Sequence, residues 1–232
     1  NFSKVTDINE SPEILSFEPN TNNRIIRRDF FNEAIGGFPV GLHYEDVKPH
    51  VISLIQAQKI ALVNSVGYYY RVNREGKITD QKSEKRFDII KSIDEILKSE
   101  WLSKLHDYQL SFVMRGLIRI LYWCGCNTLN KDRSQFFIQA CDLFSNKNMQ
   151  SRLYLKRALK YIESKKEFSL MLFLYNKSVS FLVGYSTGED TLRNKLLFVL
   201  GLFTPDLKIM NMLTKKITLY SKYKIVSRIR GS

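Results

Sequence analysis

Glu45 and Asp46 stand side by side in "GGFPVGLHYEDVKPH", residues 36–50, with His43 and Tyr44 just before them and a helix-forming pattern just after. Adjacent carboxylates in that position have three readings: a helix cap, part of a metal site, or the base of an enzyme. The cap reading is a strong one, because acidic residues in a first helical turn offset the helix dipole and accept its free N–H groups. The neighbours add chemistry to it. Phe38-Pro39 followed by Gly41 makes a rigid approach, and Tyr44 sets a flat surface beside the acids. Further on, "YYYRVNREGKIT" supplies Tyr68, Tyr69, Tyr70, Arg71, Arg74 and Lys77. Carboxylates, aromatic faces and arginines in one short stretch suit a sugar carrying phosphate, since guanidinium groups bind phosphate in a fork. His43 has two readings, a contact to acceptor or phosphate and a structural histidine with a fixed tautomer.

The stretch "FPVGLHYED", with "KIALVNSVGYYYRVNREGKIT" after it, resembles the second half of the catalytic domain of inverting GT-A glycosyltransferases. That family builds bacterial capsule, teichoic acid and lipopolysaccharide glycans. The preceding "NNRIIRRDFF" is similar to the family's lead-in, so the resemblance runs over roughly residues 20–80. It implies that Asp46 is the catalytic base, with Glu45 supporting it or the acceptor. It places Arg71 and Arg74 at the basic positions of a loop that touches the donor diphosphate. Lys77 stands where the family more usually has Ser and would meet phosphate as a point charge. The implied ligands are a nucleotide-sugar donor and a glycan or lipid-linked acceptor. A divalent metal, Mg or Mn, is expected from an Asp-x-Asp motif in an upstream nucleotide-binding half. The sequence contains neither Asp-x-Asp nor a Gly-rich phosphate loop, so no metal or other cofactor is expected within this chain. The chain is expected to be a fragment or one half of a larger enzyme, inactive alone. At a helix N-terminus Asp46 is expected to stay ionised, which weakens it as a base and leaves much of the rate to positioning.

The elements that must position these residues follow from pattern. Of 232 residues, 44% are hydrophobic and 12% aromatic, enough to bury a core. Residues 1–20 read as irregular, and 23–35 as a strand or turn leading into a helix. A helix is expected over 45–59, and strands over "IALVN" (60–64) and "GYYYRV" (67–72). Beyond about residue 83 the texture turns helical, with Phe87, Ile90, Ile93, Ile96 and Leu97 at helical spacing. Further helices are expected at 107–126, 132–144, 149–163, 167–183, 191–203 and 206–228. The fold class is therefore α+β, mainly α: the acceptor-side portion of a GT-A α/β domain over 1–82, then an α-helical region over 83–232.

The net charge of +13 favours anionic partners. Acids almost vanish from 206–230, where Lys and Arg alternate with apolar residues. This segment reads either as a basic amphipathic helix lying on an anionic membrane or as an ordinary packed helix with a solvated basic face. Three cysteines, Cys124, Cys126 and Cys141, make neither a disulfide framework nor a zinc pattern and read as reduced thiols. No signal peptide or membrane span is legible, so the expected place is the cytoplasm, with a peripheral contact to the inner face of the membrane through the tail. The aromatic helices between 107 and 203 read as core, with some surface left for a homo-oligomer. A second functional reading is a non-enzymatic basic helical module that binds RNA or acts as a scaffold. It is disfavoured by the lack of an RNA-binding motif and by the crowding of basic residues at the tail.

Overall fold

A computed structural model describes residues 4–69 and 83–177, together with 179, 182 and 183. The described part is mainly helical, with seven α-helices and one small sheet among the described residues. The sheet pairs β1 (Lys4–Thr6) with β2 (Ile60–Leu62) antiparallel, Val5 opposite Ala61. The expected strand at 60–64 is thus present and short, whereas β1 falls in a stretch expected to be irregular. The strand expected over 67–72 is not seen in its described part. Gly67, Tyr68 and Tyr69 have no regular structure, and both tyrosines are exposed. Residues 70–72 lie outside the described residues.

Helix α1 (Arg28–Ala34) stops where Gly36 takes a φ of 74° and returns its N–H to the Phe31 carbonyl. Helix α2 (Val47–Gln56) fits the segment expected at 45–59. Pro49 lies in its first turn, where the missing N–H would have had no helical partner. Val47 and Val51, one turn apart, are buried. In α3 (Asp88–Leu97), Ile89, Ile93 and Ile96 share a face and are fully covered. Each such side chain contributes about 1.5–3 kcal/mol of apolar burial.

Helix α4 (Asp107–Cys126) is the centre of the molecule. Leu110, Val113, Leu117, Leu121 and Cys124 repeat at helical spacing and are buried. The helix packs against the 3-10 turn Pro12–Ser16, α3, α5 (Arg133–Asp142), α6 (Met149–Ala158) and α7 (Lys165–Tyr175). Being covered on several sides explains why its sequence is bulky nearly all round. At its start His106 Nδ1 accepts the Gln109 N–H at 3.3 Å. At its end the buried Arg133 donates to the carbonyls of Gly125, Cys126 and Thr128 at 3.2, 2.7 and 3.3 Å. A cation there also meets the negative end of the helix dipole. Gly125 is required by packing, because a Cβ would lie 2.4 Å from the Phe137 ring.

One cluster of buried side chains joins Leu15, Val47 and Val51 to α3–α7, so it draws on both sides of residue 82. Gln109 ties the N-terminal segment down further, donating to the Ile8 carbonyl and to Asn9 Oδ1, both at 3.0 Å. Helix α7 begins at Lys165, two residues before the expected start; Val179, Leu182 and Val183 of the expected span are also helical, but the unbroken run of α7 ends at Tyr175. Lys177 adopts a φ of 56° just after it, as a helix terminus requires. The helices expected at 191–203 and 206–228 lie outside the described residues. No described helix is long and apolar enough to cross a membrane.

Candidate functional site

The loop between α1 and α2 carries the acid pair, and α3 sets its position. The His43 backbone N–H donates to Asp88 Oδ2 at 3.2 Å, and Ser92 Oγ donates to the Tyr44 carbonyl at 3.4 Å. Lys48 closes an ion pair with Glu95 at 2.7 Å. At the far end, Gln56 Nε2 donates to the Ala34 carbonyl at 3.0 Å, tying α2 to the end of α1. The first turn of α2 is therefore held by neighbours on two sides.

Tyr44 departs from its expected role. It has a φ of 67°, in the left-handed region that non-glycine residues enter at a cost. That turn sends its ring against the hydrophobic core, and its hydroxyl accepts from Arg86 Nη1 at 2.9 Å. Burial, and the neighbouring Cys124 thiol after it, push its phenol well above the ordinary range. Arg86 in turn lies over the Trp123 ring, 4.5 Å from its centroid. Tyr44 anchors the loop and is not the aromatic platform beside the acids. That place is taken by Phe31 and Phe38, whose rings meet at 5.5 Å and line the cleft that Asp46 faces.

Asp46 is the first residue of the α2 turn, at the N-cap, with φ −81° and ψ −21°. That is helical backbone rather than the extended geometry of a capping residue, so its carboxylate makes no cap hydrogen bond. The side chain instead lines a small cleft with room for about 20 Å³, together with Arg24, His50, Phe31, Phe38 and Pro49. That is about the room of a single water and far below the ~300–1,000 Å³ of sites that enclose a drug-sized ligand, so the cleft is a shallow surface feature. Glu45 is exposed, directed away from full enclosure. Burial, and then the Glu45 charge, raise the Asp46 carboxyl above the usual range, against the opposing pulls of its own backbone N–H and then of Arg24. The expectation of a carboxyl weakened as a base by the helix N-terminus is thus reversed here. Half-burial beside a second carboxylate is the cause.

Arg24 and His50 belong to this site and were not singled out by residue type. His50 follows Asp46 by four positions, so both project from one face of α2. Its Nε2–H donates to the Phe17 carbonyl at 2.8 Å, which leaves Nδ1 to accept from Arg24 Nη1. Arg24 also donates from Nε to the Asn20 carbonyl at 2.9 Å. His50 is pushed down to about 3 by burial and by the Arg24 charge, so its ring is neutral. The i, i+4 spacing of Asp46 and His50 was the one sequence signal available.

The site does not fit a metal ion. Both His50 nitrogens are engaged and a guanidinium stands beside the carboxylate. Among the described residues no three His, Cys, Asp or Glu side chains gather as a ligand set. Arg71, Arg74 and Lys77 lie outside the described residues. Cys124 and Cys141 are buried and Cys126 partly so. Burial raises all three thiols, Cys124 to about 11 and Cys141 to about 12, which keeps them unreactive. Compared with protein families, curated proteins and solved structures, the chain matches none.

Proposed function

We propose that this chain is the acceptor-side part of an inverting glycosyltransferase, moving a sugar from a nucleotide-sugar to a glycan or lipid-linked acceptor. One observation carries the reading. Asp46 is a half-buried carboxylate with a raised proton affinity, without a cap bond, facing a cleft with an aromatic wall. A general base needs reach to the acceptor hydroxyl and gains strength from a raised proton affinity, and these features bear on both. Asp46 takes the proton of the acceptor hydroxyl as its oxygen forms a bond to the anomeric carbon. The bond from that carbon to the diphosphate breaks on the opposite face, and the leaving group keeps the electron pair. Configuration inverts. Phe31 and Phe38 offer the apolar faces on which a sugar ring packs. Donor binding and any divalent metal fall to an upstream half. Arg71, Arg74 and Lys77 are proposed for the diphosphate.

In the protein joined to its donor half, Asp46→Asn should abolish transfer, by about a hundredfold or more, while donor affinity stays within a few-fold. Turnover at the wild-type rate would move the base elsewhere. Sugar-nucleotide turnover by the 232-residue chain alone would contradict the division of labour.

A further inference from the structure

The Arg24–His50 pair takes no part in the proposed proton transfer, yet it is tightly bonded. His50 is 4% exposed and spends both ring nitrogens, one on the Phe17 carbonyl and one on Arg24. A buried histidine locked in this way is a fixed bracket, not a proton carrier. Arg24 is a guanidinium with five N–H groups. One goes to Asn20 O, one to His50 Nδ1, and a longer contact of 3.4 Å reaches Asn23 Oδ1. Arg24 and Asp46 line the same cleft and feel each other's charge, but among the described residues Asp46 closes no ion pair. The cation is therefore held from behind, near the carboxylate, without occupying its oxygens.

We propose that Arg24 is a positioning residue for the Asp46 base, and that His50, braced on Phe17, holds Arg24 in place. This rests on the reading of Asp46 as the base. The arrangement leaves the carboxylate oxygens open to an acceptor hydroxyl, while the nearby cation favours their ionised form. The remaining N–H groups of Arg24 can donate to a second oxygen of the same acceptor. A donor and an acceptor side by side select a neutral polyol over an anionic one, since Glu45 and Asp46 repel added negative charge. Other charges near the site are accounted for. Asp88 and Glu95 of α3 are occupied by the His43 N–H with Lys91 and by Lys48, and Arg28, Asp29 and Glu33 of α1 are exposed.

The test is a carbon-detected NMR titration of the Asp46 carboxyl in the full chain, which requires no acceptor. Arg24→Met should tighten proton binding at Asp46 by about tenfold. His50→Gln keeps a donor for Phe17 but offers Arg24 no equivalent acceptor, and should shift the titration in the same direction. His50→Asn keeps an acceptor near the Nδ1 position and should titrate close to wild type. An unchanged Asp46 titration in Arg24→Met, with the variant shown to be folded by circular dichroism, overturns the proposal. A shift in Arg24→Met with none in His50→Gln overturns the part assigned to His50. In the protein joined to its donor half, Arg24→Met should move the acid limb of the kcat/KM profile upward in pH, and Arg24→Lys should restore part of it. A titration shift in Arg24→Met combined with full turnover in Asp46→Asn would leave the pair standing and remove the transferase reading of the base.

Discussion

A carboxylate at the start of a helix ordinarily gains from the dipole and folds back onto free N–H groups. Asp46 makes no cap hydrogen bond, because its backbone is already helical, and burial beside Glu45 raises its proton affinity. The sign of the consequence for stability follows from linkage. A carboxyl whose proton affinity is raised on folding binds protons more tightly in the folded state, so its ionised form costs stability as pH rises through that window. Asp46→Asn should therefore keep a melting temperature no lower than wild type while losing transfer; a marked fall in Tm would mean that the carboxylate is structural. His50 has the opposite dependence. Its folded value of about 3 lies below the ordinary 6.5, so the unfolded chain takes up a proton first as pH falls between them. Stability should fall through that interval by up to ~1.4 kcal/mol per pH unit from this residue. Denaturant titrations of His50→Asn across the same interval should show a shallower acid loss. Asp46 could be picked out from sequence because two acids preceded a helix pattern. Arg24 could not, since its partner lies twenty-six positions away. Nor could the inward turn of Tyr44, which comes from a backbone angle that residue type does not announce.

At the scale of elements, α4 is held at both ends by specific groups. Arg133→Met would leave three carbonyls at its C-terminus without their charged donor. A loss of about 1.5–3 kcal/mol is expected for hydrogen bonds to a charged group. Gly125→Ala puts a methyl into the Phe137 ring, which is buried and has no room to swing aside. Overpacking of this kind should cost about 1–3 kcal/mol, read by chemical denaturation. Helices α3 and α4 were legible because their apolar residues recur every three or four positions over two or more turns. Strand β1 was not, because three residues carry too little alternation and the strand is defined by its pairing with β2, over fifty positions on.

At the scale of the molecule, the two sequence textures share a core. Leu15, Val47 and Val51 pack with α3–α7. A polypeptide beginning at residue 83 should expose the apolar faces they cover, bind a hydrophobic dye and melt less cooperatively than the full chain. Cooperative melting at the full-chain temperature would show instead that the helical region stands alone. The basic segment 206–230 lies outside the described residues, and its membrane reading is tested on vesicles. Flotation should depend on anionic lipid and be lost on deletion of 206–232; indifference to both would refute it.

The sequence by itself determined the helical character beyond residue 83, the start of α2 and the acid pair at its mouth, because local spacing encodes which face of a helix is apolar. Only the tertiary structure decided which side chains meet that pair. Phe17, Arg24 and His50 come from different segments, and Tyr44 is drawn inward by Arg86. Burial, which sets the proton affinity of Asp46, is a property of the packed whole and of no short stretch of chain.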